Sequence, residues 1–142
     1  MLNELRVGEL LAALGERTPT PASGAATALT GALAGALTEL AARFAEDEDA
    51  VRRARAAVTR LVELADEDGV AYAEFMAART DPARARIIEV PKEIAARADE
   101  VAELAERVRA RLRSSVAGDA EVAVELARAS SRAALRLAEL NA

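Results

Sequence analysis

Residues 18–38 read TPTPASGAATALTGALAGALT, an uncharged run in which two prolines feed directly into alanine, glycine and threonine. Pro19 and Pro21 each keep the preceding residue out of the α region, so Thr18 to Pro21 is stiff and extended. From Ala22 or Ser23 the Ala content and the recurrence of Leu29, Leu33 and Leu37 predict a helix reaching Phe44. The run is long enough to cross a bilayer, but it is poor in the Leu, Ile and Phe that a lipid-facing helix needs. It therefore reads as a central helix buried on all sides by its neighbours, not as a membrane span. Gly24, Ala28, Gly31 and Gly35 recur at three- and four-residue spacing and form a groove of bare backbone, open to another helix or to a symmetry mate.

Working outward, the first helix is expected from Leu2 to Leu14, with Leu2, Leu5, Leu10, Leu11 and Leu14 as its apolar stripe and Gly15 as its stop. The acidic run Glu46 to Asp49 marks a turn and the start of a third helix, where negative charge suits the helix dipole. That helix continues to about Thr80, with Val51, Val58, Leu61, Ala65, Tyr72 and Met76 on its buried side. Asp81-Pro82 reads as a cap followed by proline at the first helical position. A fourth helix then runs to about Val116, kinked or divided by Pro91. Gly118-Asp119 ends it and caps a fifth, Ala120 to Leu140, with Val122, Leu126, Ala129, Ala133, Leu137 and Leu140 facing inward. No internal repeat or linker interrupts this pattern. The expectation is one domain, residues 1–142, all-α: a compact bundle of about five helices around a central Ala/Gly-rich helix.

Composition narrows the chemistry. Ala supplies about a quarter of the chain and aromatics only 2%, so the core must rely on close backbone approach and on a partner subunit. There is no Cys and no His, which removes thiol nucleophiles, imidazole bases and the metal sites built on them. Acid–base work falls to Asp, Glu, Tyr72 or the single lysine, Lys92. A net charge of −5 without a basic, aromatic face speaks against nucleic-acid binding. No signal peptide precedes the first helix, so a cytoplasmic location is expected.

Four constellations can carry chemistry. Pro19 to Gly24 places a rigid turn of small residues at a helix start, whose free N–H groups bind carboxylate or phosphate; the alternative is an ordinary cap served by Ser23. Asp68 and Tyr72 share a helical face, with Asp66 to one side. A carboxylate beside a tyrosine can move a proton if burial raises its pKa; otherwise the segment is a solvated acidic turn. Asp119 is either a second carboxylate or a helix cap. Arg107, Arg109, Arg111 and Arg113 form a solvated face or an anion site.

Taken in order, these segments resemble the cyclodeaminase family, which includes the C-terminal domain of formiminotransferase-cyclodeaminase and bacterial methenyltetrahydrofolate cyclohydrolases. The family opens with a short helix, then Pro-Thr-Pro-Gly-Gly-Gly-Ser and a long Ala/Gly helix. Here these are Pro19-Thr20-Pro21-Ala22-Ser23-Gly24-Ala25 and the helix that follows. The family's Asp-x-Asp-x-x-Ala-Tyr stretch is matched by Asp66 to Tyr72, its Val-Pro by Val90-Pro91, and the ends of its last helix by Gly118-Asp119 and Asn141. The chain departs from the pattern at Ala22-Ser23, and at residues 46–49, which are acidic where the family is basic.

The resemblance implies an all-α homodimer acting on a tetrahydrofolate derivative without a metal, nucleic acid or membrane. Its reaction would be ammonia elimination from 5-formimidoyltetrahydrofolate or hydrolysis of the methenyl ring. Asp68 would be the acid–base group and Asp119 a second carboxylate. Thr20, Pro21, Ala22, Ser23 and Gly24 would hold an anionic group, with Asp66 and Tyr72 contacting the ligand. The alternatives are a non-catalytic helical dimer acting as a binding module, and a ligand-free bundle. All functional readings require the Pro19–Gly24 turn and the Asp68/Tyr72 face to converge on one cleft.

Overall fold

The computed structural model describes residues 1–113 and 115–142. A 3-10 turn, Leu2–Glu4, precedes α1 (Val7–Gly15), α2 (Ser23–Phe44), α3 (Glu48–Ala78), α4 (Asp81–Arg109) and α5 (Val116–Asn141). Short connections between α2, α3, α4 and α5 make successive helices antiparallel. The start of α2, the far part of α3, the start of α4 and the end of α5 therefore lie at one end of the bundle.

The central helix has the expected bounds. Its small-residue groove is filled from within the chain. A Cβ on Gly31 would come within 2.9 Å of Ser130 Oγ on α5 and 3.2 Å of a Leu61 methyl on α3. One on Gly35 would lie 2.7 Å from a Val58 methyl. Ser130 Oγ donates to the Thr27 carbonyl at 2.8 Å in this buried seam. The expectation of burial on all sides is corrected, because Leu33 (64% exposed) and Leu40 remain at the surface. Together with Ala36 they form an exposed strip, bordered at Leu33 and Ala36 by α1.

Several boundaries and faces differ from the sequence reading for identifiable reasons. The first apolar stretch breaks in two: Glu9 Oε2 accepts the Arg6 N–H at 2.9 Å and starts α1 afresh at Val7. The α1 stripe buries no residue. On α3, Tyr72 and Met76 lie at the surface, because this 31-residue helix outruns the 22-residue α2 packed against it. Thr80, not Asp81, caps α4, its hydroxyl accepting the Ala83 N–H at 3.3 Å. Pro91 does not divide α4, and the helix ends at Arg109 rather than near Val116. The fifth helix starts earlier, at Val116, so Gly118 and Asp119 lie inside its first turn instead of capping it. Its buried seam is Ala120, Ala123, Val124, Ala127, Ser130, Ser131, Ala134 and Ala138. Val122, Ala133 and Leu140 are exposed. Small residues occupy the seam because the helices approach closely, and the larger ones are displaced to its flanks.

The arginines near the end of α4 serve structure. Arg107 and Arg111 pair with Asp47, the α3 cap, at 3.2 and 2.9 Å, and Arg109 pairs with Glu106 at 2.9 Å. The two Asp47 contacts tie the acidic turn to the end of α4.

Gly31→Val should destabilise the bundle by about 1–3 kcal/mol through overpacking, whereas Leu140→Ala, at a surface position of α5, should change stability by less than about 0.5 kcal/mol. Urea midpoints of the two variants check this ordering, and equal losses would contradict the packing described.

Candidate functional site

The turn Pro19–Gly24 and the Asp68/Tyr72 face converge. A cavity of about 220 Å³ is lined by Pro19, Thr20, Ala22, Ser23, Gly24, Asp68, Tyr72, Ile87, Leu137 and Asn141. These residues come from the turn and from α2, α3, α4 and α5, as the antiparallel order dictates.

The local chemistry of the α2 start favours a ligand there. Ala22 is the N-cap, with no side-chain cap bond, and Ser23 is the first helical residue rather than the cap. The first intrahelical bond is Ala26 N–H to Ala22 C=O at 3.1 Å, so the N–H groups of Ser23, Gly24 and Ala25 precede it. Asp68 reaches this helix start from α3. Its carboxyl lies so close to the Gly24 Cα that a Cβ on residue 24 would overlap it. The missing Cβ of Gly24 is what lets the Asp68 carboxyl lie there.

Two opposing influences act on Asp68. Burial pushes its carboxyl above the ordinary value of 3.8. The positive end of α2 stabilises the anion once it forms. A carboxyl whose burial favours the neutral acid is a candidate proton carrier. Tyr72 lines the same cavity and is 38% exposed.

Asp66 and Pro21 face elsewhere. They line an adjoining cavity of about 300 Å³ with Leu2, Ala65, Gly69, Val70 and Ala73, and Thr20 borders both spaces. Asp66 Oδ1 accepts the Leu2 N–H at 3.0 Å and secures the first turn of the chain against α3. The two aspartates are separated by the geometry of a helix, since residues two apart point about 200° around the axis from one another.

Asp119 does not join the cavity within one chain. It lies in the first turn of α5, whereas Leu137 and Asn141, which line the cavity, are at the other end. The 22-residue separation corresponds to about 33 Å along the helix. Within one chain Asp119 therefore lies far from Asp68. Among the described residues, no group of three or more acidic side chains is placed to hold a cation.

Ile87 and Leu137 were not legible as site residues, and Asn141 carried only a resemblance. Asn141 Nδ2 donates to the Ile87 carbonyl at 2.8 Å, joining the end of α5 to α4 at the cavity wall. A contact 54 residues apart leaves no periodic trace in sequence.

The profile of the formiminotransferase-cyclodeaminase family matches residues 6–142. Among solved structures, the chain is similar to formiminotetrahydrofolate cyclodeaminase from Thermotoga maritima. The TM-score is 0.93 and the identity 24%, over 99% of this chain and 80% of that one. No curated protein matches the chain.

Because its folded-state pKa is raised, Asp68 opposes folding at neutral pH, and this penalty disappears as the pH falls through the folded value towards 3.8. The wild type should therefore gain thermal stability relative to Asp68→Asn as the pH is lowered from 7 to 4. A Tm difference that is flat across that range would contradict the burial assigned to Asp68.

Proposed function

Because the chain belongs to the formiminotransferase-cyclodeaminase family, we propose that it is a folate-dependent one-carbon enzyme whose reaction takes place in the cavity between the α2 start and Asp68. The observation that carries this reading is the desolvated Asp68 carboxyl seated on the Gly24 backbone, in a cavity that also holds Tyr72.

In cyclodeamination, N10 of 5-formimidoyltetrahydrofolate attacks the formimino carbon. The N10–C bond forms, the C–N bond to the terminal nitrogen breaks, and ammonia leaves as the methenyl ring closes. The proton lost from N10 must reach the departing nitrogen, and Asp68 is the group we assign to carry it. Hydrolysis of the methenyl ring needs the same capacity, with water as the attacking group. Thr20 to Gly24 would hold a polar or anionic part of the ligand at the helix start, and Tyr72 would orient it. A second carboxylate from Asp119 would have to be supplied by another copy of the chain.

A homodimer is part of this reading. Val7, Leu10, Leu11, Leu29, Leu33, Val58 and Val62 line a groove of about 390 Å³ with no polar lining. No residue of α1, which borders the groove, is fully buried in the single chain, which supports a second copy as its cover. The cavity at Asp68 is itself below the roughly 300 Å³ at which sites for drug-sized ligands begin, so the rest of a folate would extend beyond it. The cytoplasm is the location that fits this role.

The competing reading is a binding module on the same scaffold. It is favoured by residues 46–49, acidic where the family is basic, and by the commitment of Asp47 to Arg107 and Arg111. Isothermal titration with folylpolyglutamates separates the two, because absence of heat at millimolar ligand favours the module that binds something else.

Asp68→Asn should reduce turnover by about 10²- to 10⁴-fold in an assay following methenyl-folate absorbance, with the fold retained. Gly24→Ala should lower turnover as well, by driving the carboxyl off the helix start. Unchanged turnover in Asp68→Asn would remove the catalytic assignment.

A further inference from the structure

In an unbroken α-helix the Ile87 carbonyl would accept the N–H of residue 91. Residue 91 is proline, which has none, yet α4 runs continuously from Asp81 to Arg109. The carbonyl that Pro91 frees is the one that Asn141 Nδ2 reaches at 2.8 Å. Since a carbonyl can only accept, this bond also fixes which way the carboxamide faces. Ile87 and Asn141 both line the cavity that contains Asp68.

We propose that Pro91 and Asn141 form a single device: the proline releases the Ile87 carbonyl so that Asn141 is held as an oriented hydrogen-bonding wall of the cavity. With one amide N–H committed to Ile87, the carboxamide keeps its Oδ1 acceptor and one further N–H, and the Oδ1 accepts from an amide- or amidine-like N–H of the ligand. Pro91 is a positioning residue, acting only through Asn141. The ligand half of this proposal rests on the folate reading; the Pro91–Asn141 coupling does not.

A double-mutant cycle tests it with two readouts. In the wild-type background, Asn141→Ala strands the Ile87 carbonyl and should lower Tm by about 2–5 °C. In Pro91→Ala the backbone N–H of residue 91 takes over that carbonyl, so adding Asn141→Ala should leave Tm almost unchanged. Additive Tm losses would overturn the device. For binding of 5-formyltetrahydrofolate by titration calorimetry, Asn141→Ala should raise Kd about tenfold. Pro91→Ala should also weaken binding even though its fold is intact, and the double variant should bind no worse than the weaker single one. An unchanged Kd in Asn141→Ala would overturn the ligand role alone. A wild type that binds no folate would overturn the ligand role together with the functional reading, while the Tm cycle would still decide the coupling.

Discussion

The bundle depends on α3 lying against a face of α2 that has almost no side chains. As α2 advances from Gly24 to Gly31 to Gly35, α3 runs back from Asp68 to Leu61 to Val58, each presenting its side chain to a bare glycine. This antiparallel register is the source of both the core and the site. At two of its positions the glycine receives a hydrocarbon and the contact is packing. At the third it receives a carboxyl, at the end of the helix where backbone N–H groups are free. The spacing that closes the core therefore delivers the buried Asp68 carboxyl to its place, and a shift of α3 along α2 would remove both.

The same closeness explains what the sequence could and could not convey. The Pro-Thr-Pro turn, the bounds of α2 and the all-α class were legible, because they follow from local chemistry: fixed proline angles, alanine propensity and short turns. The inner faces of the other helices were harder to read. On α5 the hydrophobic residues Val122 and Leu140 lie outside, and the seam, Val124 apart, belongs to alanine and serine. An apolar stripe predicts burial when helices are held apart by large side chains, and it misleads when the backbones nearly touch. The α1 stripe failed in a different way. Leu2 and Leu5 fall outside α1 altogether, and the single chain leaves Leu11 largely exposed.

Convergence of the Pro19–Gly24 turn with Asp68 and Tyr72 was expected, and it rests on chain order: antiparallel connections bring those segments to one end of the bundle. Asp119 lies away from them by the same logic, since the start of α5 must be at the opposite end from its finish. Asn141 entered only as part of a motif order. Its partner is the carbonyl that Pro91 leaves open, so the two motif elements that looked independent meet at one hydrogen bond.

Amide hydrogen exchange with and without 5-formyltetrahydrofolate puts the central claim, a single ligand cavity at the α2 start, to its most direct trial. The N–H groups of Ser23, Gly24 and Ala25 precede the first intrahelical bond and should exchange quickly in the free protein. Bound ligand should slow them, together with amides in the segment from Asp68 to Tyr72. Protection confined to the α1–α2 groove, with residues 22–26 unaffected, would contradict the account.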